Sequence, residues 1–166
     1  MLNFKFLLPV SFRLVGIVFF ISGVLIGFTR FYLGIKPKLL NMKVFAVYSE
    51  YLDEKYMKAV QNNVGEEVTI FLIITGLFLF AFSREKLENE IIHQIRYKSM
   101  IMSFYLSYAF ILAANFFTFG FAFIYMLIFY SGVPLLAYIL LFQFHLYLFR
   151  KNSTKISESV NRENNE

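Results

Sequence analysis

Apolar and polar positions are segregated along this chain into long blocks. Leu14 to Thr29 and Val68 to Phe82 are uncharged and strongly apolar, and the 51 residues from Ser99 to Phe149 contain no Asp, Glu, Lys or Arg. Between these blocks lie a polar segment at 30–67, a charged connector from Ser83 to Lys98, and a polar tail beginning at Arg150. Lipid is the natural solvent for such blocks. Sixteen helical residues rise about 24 Å, close to the ~30 Å hydrocarbon core of a bilayer, and Arg13 and Arg30 can reach the headgroups from either end. The last block would make a helix of about 76 Å, too long for one crossing, whereas three crossings would be too short once turns are included. The pattern therefore predicts an all-α polytopic membrane protein with four transmembrane helices, at about 14–29, 68–83, 99–117 and 121–149. These form a single domain over 1–150, followed by a disordered polar tail at 151–166.

Inside the polar segment, Gly34 and Pro37 mark a break. Leu40, Val44, Val47 and Tyr51 then form one apolar line, and Phe45, Tyr48, Leu52, Tyr56 and Val60 a second. That spacing predicts one or two amphipathic helices lying on the bilayer surface as an extracytoplasmic loop, ended by Asn62, Asn63 and Gly65. Small residues mark packing seams: Gly16, Gly23 and Gly27 on the first span, Thr69, Gly76 and Ser83 on the second, and Ser103, Ser107, Ala114 and Thr118 on the third. Gly23 and Gly27 are expected to meet the third-span seam. In the fourth span Pro134 predicts a kink, because it has no N–H to donate to the carbonyl of Tyr130. Ser131, Tyr138 and His145 recur every seven residues and form a polar stripe toward the bundle. His145 stands out as an ionisable group within an apolar span.

Composition sharpens this picture. The chain is 58% hydrophobic and 16% charged, and it lacks Cys, which excludes disulfides and thiolate metal sites. The net charge of +5 comes from basic residues placed beside apolar segments, which orient a membrane protein rather than bind nucleic acid. Lys5 and Arg13 precede the first span without a small-x-small cleavage pattern, so it reads as uncleaved. Arg84, Lys86, Arg96 and Lys98 on the connector, with Arg150, Lys151, Lys155 and Arg162 on the tail, predict both termini in the cytoplasm. The basic residues of the 30–67 loop run against that rule.

The connector reads as an amphipathic helix, with Leu87, Ile91 and Ile95 on one face and Arg84/Glu88 and Lys86/Glu90 paired one turn apart. His93 is three residues from both Glu90 and Arg96, a spacing that suits a salt-bridged surface helix or a carboxylate-tuned proton acceptor. Glu85, Glu88, Glu90, His93 and Arg96 are accordingly the candidate interaction residues. Catalytic motifs are missing: no Ser/His or Cys/His arrangement, phosphate loop or zinc-protease motif is found. Glu66 and Glu67 resemble the glutamate pair of intramembrane CAAX-type proteases, but Phe71 stands where that pattern needs Arg. Neither a cofactor nor a metal is expected. The first reading is a structural or regulatory subunit acting through a protein partner; the alternatives are an oligomeric channel or small-solute transporter and, third, a membrane enzyme using His93 or His145 with Glu88 or Glu90. The expected partners are the lipid bilayer and either another protein or further copies of the chain.

The stretch VFAVYSEYLDEKYM, the following QNNVGEE, and FSREKLENEIIHQIRYKS leading into an aromatic span resemble a group of small uncharacterised four-span membrane proteins of Bacteroidetes-type bacteria. The resemblance covers about Lys43 to Arg150. It implies a four-span architecture and a bacterial inner-membrane location, and it carries no catalytic residue.

Overall fold

The computed structural model describes residues 7–50, 54–86 and 88–163; Lys5, Tyr51, Leu52 and Leu87, named above, lie outside them. The chain runs α1 (Ser11–Phe31), a single 3-10 turn (Lys38–Leu40), β1 (Asn41–Glu50), β2 (Glu54–Asn63), α2 (Gly65–Ala81), α3 (Glu90–Phe117), α4 (Phe121–Tyr130) and α5 (Val133–Glu163). Three helical stretches are long and apolar enough to cross a membrane: Ser11–Phe31, Glu90–Phe117 and Val133–Ser153. At most 22% of the residues in any of them are buried within the chain, so their apolar surfaces face outward and suit lipid. α2 is equally apolar but has 17 residues, a length of about 25 Å.

The chain divides into two compact units, one comprising Gly16–Gly76 and the other Met1–Val15 with Leu77–Glu166. In Gly16–Gly76, α1 and α2 pack antiparallel on small residues. A Cβ on Gly76 would lie 2.5 Å from the backbone N of Phe20 and 2.8 Å from the carbonyl of Gly16, so only glycine permits this approach. Further along, Gly23 meets Leu72 and Ile73, and Gly27 meets the Thr69 methyl. Arg30 pairs with Glu66 at 2.6 Å where the seam ends. The Gly23 and Gly27 face thus packs on α2, not on the third-span serines. The Thr69 and Gly76 seam supplies the partners at its two ends, Thr69 at Gly27 and Gly76 at Gly16 and Phe20.

The loop between α1 and α2 departs from the expectation of amphipathic helices: it is a two-stranded antiparallel hairpin. Its register runs from Asn41 opposite Asn63 to Glu50 opposite Glu54, with Val44 opposite Val60 and Tyr48 opposite Tyr56. The segment is rich in Val, Tyr and Phe, which favour extended backbone, and paired strands outweigh its helical spacing. Asn63 fastens the base, its Nδ2 donating to Pro37 O and Asn41 Oδ1 while its Oδ1 accepts from the Gly65 N–H.

In the other unit, the segment before α1 pairs with the segment after α2: Leu8 N–H donates to Phe82 O and Arg84 N–H to Leu8 O, both at 3.0 Å. The connector is not one helix. α3 begins at Glu90, capped by Asn89 Oδ1 accepting from Ile92 N–H at 2.9 Å; residues 83–86 and 88–89 are not helical, so Arg84/Glu88 and Lys86/Glu90 do not share a helix. Buried Ile92, Arg96, Ser99, Ser103 and Ser107 fall on one stripe of α3, and α3 packs chiefly along α5. The core gathers Ala81, Ile92, Tyr138, Phe142 and Leu146. Gly120, at φ +65°, turns the chain from α3 into α4. The fourth apolar block is broken rather than kinked: α4 stops at Tyr130, Ser131 and Gly132 tighten into a turn, and Pro134 sits in the first turn of α5, where no N–H is required of it. α5 then continues to Glu163, where a disordered tail was expected.

Candidate functional site

The chemistry of this chain collects where the connector meets the start of α3. Arg96 lies in the second turn of α3 and is 7% exposed. Its Nη1 donates to the carbonyl of Ala81 and to the Tyr138 hydroxyl, both at 3.1 Å. Its Nη2 donates to Ser83 O at 3.3 Å and to both Glu88 oxygens at 3.3 and 3.4 Å. The guanidinium also lies 4.5 Å from the centroid of the Phe142 ring. Ala81 ends α2, and the last carbonyls of a helix lack backbone donors and carry partial negative charge. A cation seated there satisfies them and joins α2, the connector, α3 and α5 through one side chain.

Glu88 is the counter-charge. Besides Arg96, its Oε2 accepts from the backbone N–H of Glu85 at 2.7 Å, and its Oε1 is 3.9 Å from His93 Nε2. Glu85, 8% exposed, bridges two further arginines: Oε1 to Arg13 Nη1 at 2.6 Å and Oε2 to Arg150 Nη2 at 3.5 Å. Arg13 itself lies 4.9 Å over the Phe80 ring. Two nearly buried carboxylates are thus held by three arginines drawn from α1, α3 and α5. Such charges are tolerated away from water only because each is paired and hydrogen-bonded.

Farther along α3, the Ser99 hydroxyl and His145 Nδ1 are 2.9 Å apart, the donor being set by the imidazole tautomer. Sequence inspection finds no Ser/His arrangement, because these residues are 46 positions apart and come together only through packing of α3 on α5. Ser99 is 0% exposed, so this pair serves as a link between helices. Ser103 and Ser107 donate to carbonyls of their own helix, which satisfies their hydroxyls and lets α5 approach.

Of the candidate interaction residues, Glu85, Glu88 and Arg96 therefore turn inward and bind one another, whereas the sequence reading set them on an outward face. His93 is half-buried beside Glu88, and Glu90 is exposed in the first turn of α3. The polar stripe divides: Tyr138 joins the arginine network, His145 pairs with Ser99, and Ser131 is exposed and donates to the carbonyl of Ile128 at 2.6 Å. Arg13 and Arg150 were missed as site residues. Their signal was the placement of a cation at the outer end of an apolar span, read only as orientation. Among the described residues no group of His, Asp and Glu is arranged to hold a metal ion. Comparison with protein-family models, with curated proteins and with solved structures finds no match for the chain.

Proposed function

We propose that this chain is a structural or regulatory subunit of a bacterial inner membrane, crossing four times with both termini in the cytoplasm, and acting by holding a partner protein. α2, 17 residues long, serves as the second crossing, a modest length that a bilayer accommodates by local thinning. The Lys and Arg residues of the connector and α5, and the resemblance to four-span proteins of Bacteroidetes-type bacteria, support the orientation and the location. The observation that carries the partner reading is the hairpin. It is a sheet of only two strands among the described residues, so each strand offers an outer edge of unpaired backbone groups, with Met42, Phe45 and Met57 exposed along it. A two-stranded ribbon is marginal in water and is a ready template for a further strand.

A photo-crosslinking residue at Phe45, followed by native mass measurement in mild detergent, tests this. A discrete adduct with one other protein is expected, together with reporter fusions that read outside after Asn63 and inside after Arg96. A symmetric ring of this chain alone would replace the subunit reading with the channel reading. An outside signal at Arg96 would overturn the topology.

A further inference from the structure

The arginine–carboxylate junction has an inner and an outer side of different charge. Glu85 and Glu88 keep side-chain exposures of 8% and 9%, whereas Arg13 keeps 31% and Arg150 61%. Lys86, Lys98 and Lys151 are also exposed, against Glu90 as the exposed acid of this stretch. The carboxylates are consumed inside and the cations look out. Arg13 and Glu85 also line a small recess together with Phe80, Tyr138, Ile139 and Gln143. Arg13 stands in the first turn of the apolar helix α1, and Arg150 near the end of the apolar part of α5, Val133–Ser153. In the membrane placement proposed above, both arginines fall at the ends of apolar helices, near the level of the headgroup phosphates.

We propose that the Arg13–Glu85–Arg150 junction seats the headgroup phosphate of an anionic phospholipid. Glu85 does not oppose this. It sits between the two guanidiniums, fixes their orientation, and leaves the trio with net positive charge. A guanidinium carries five N–H donors in a planar fork that fits two phosphate oxygens, and Glu85 Oε1 engages Arg13 through Nη1. The proposal rests on the membrane placement and is independent of the partner read from the hairpin.

The test uses the full-length chain in a non-ionic detergent. Its thermal midpoint is followed during addition of short-chain phosphatidylglycerol, phosphatidylcholine of the same chain length, or inorganic phosphate. Phosphatidylglycerol should raise the midpoint by about twice as much as either control, as a ligand selective for the folded state does. Arg150→Gln, at a largely exposed side chain, should lose that difference. Lys43→Gln, which removes the same charge from the hairpin, should keep it. Native mass spectra supply a second readout that does not depend on variant stability: phosphatidylglycerol adducts should survive activation that strips phosphatidylcholine. Equal shifts and equal adduct survival for the two lipids would overturn the proposal. A shift reproduced by inorganic phosphate alone would assign the junction to a free anion instead of a lipid.

Discussion

Within Gly16–Gly76, α1 meets α2 backbone to backbone, through Gly16, Gly23, Gly27 and Gly76. Where α3 meets α5, the helices are joined by side chains that carry hydrogen bonds, through Arg96 with Tyr138 and Ser99 with His145. Apart from the Arg30–Glu66 pair at its end, the first contact depends on shape: glycine removes the atoms that would hold the helices apart, and dispersion does the rest. The second depends on chemical matching, since a buried guanidinium or a half-buried imidazole tolerates few neighbours other than those it has. A shape contact tolerates any small residue that fits and fails abruptly when one does not. A matched contact fails by leaving a charge stranded, and it is eased by removing the opposite charge as well.

The largest effect should come from stranding a charge. Arg96→Leu leaves the Glu88 carboxylate nearly buried with its main partner gone, and a broken buried pair costs about 3–5 kcal/mol. Denaturation in detergent should show that loss, and the double variant Arg96→Leu with Glu88→Gln should recover part of it. If the double variant is as unstable as the single one, the arginine matters for its carbonyl and hydroxyl bonds and not for charge.

Gly76→Ala should come next, at about 2 kcal/mol, because its new methyl would meet the backbone at Phe20 and Gly16, which cannot step aside. Gly27→Ala should cost less, since the nearest obstacle, 2.9 Å away, is the methyl of Thr69. Equal melting points for the two variants would mean that the helices slide apart freely, and shape would then not be what holds this contact.

The smallest effect is expected at Ser99→Ala, which removes one hydrogen bond to His145 at about 1 kcal/mol. Ser103→Ala should be milder still, because that hydroxyl bonds only to its own helix at Met100 O. A larger loss at Ser103 than at Ser99 would show that the serines act through size and that the hydroxyl–imidazole bond adds nothing.

The two contacts were unequally legible in the sequence. Glycine spacing at 16, 23 and 27 and the Thr69–Gly76 spacing are one-dimensional signals, and both seams are real. Which seam met which was not encoded in spacing, and α2 took the place expected of α3. The C-terminal ends of α1 and α3 were legible in the same way, from apolar runs that stop at charge or glycine, whereas α3 starts at Glu90, well before the expected 99. The arginine network was hidden because helical spacing proposed near neighbours, Arg84/Glu88 and Lys86/Glu90. The observed partners of Arg96 instead include Tyr138, 42 positions away. The hairpin was hidden for another reason: Val, Tyr and Phe at 44–60 satisfy helical spacing and strand propensity together, and cross-strand pairing, which decides between them, is not a local property.

Arg13 and Arg150 reach the same carboxylate, Glu85, from opposite ends of the chain. During synthesis Arg13 emerges first and waits 72 residues for Glu85, and the junction closes only when α5 follows it into the membrane. A chain cut short before Arg150 would already hold α1, α2 and α3, yet would leave Glu85 with one arginine instead of two.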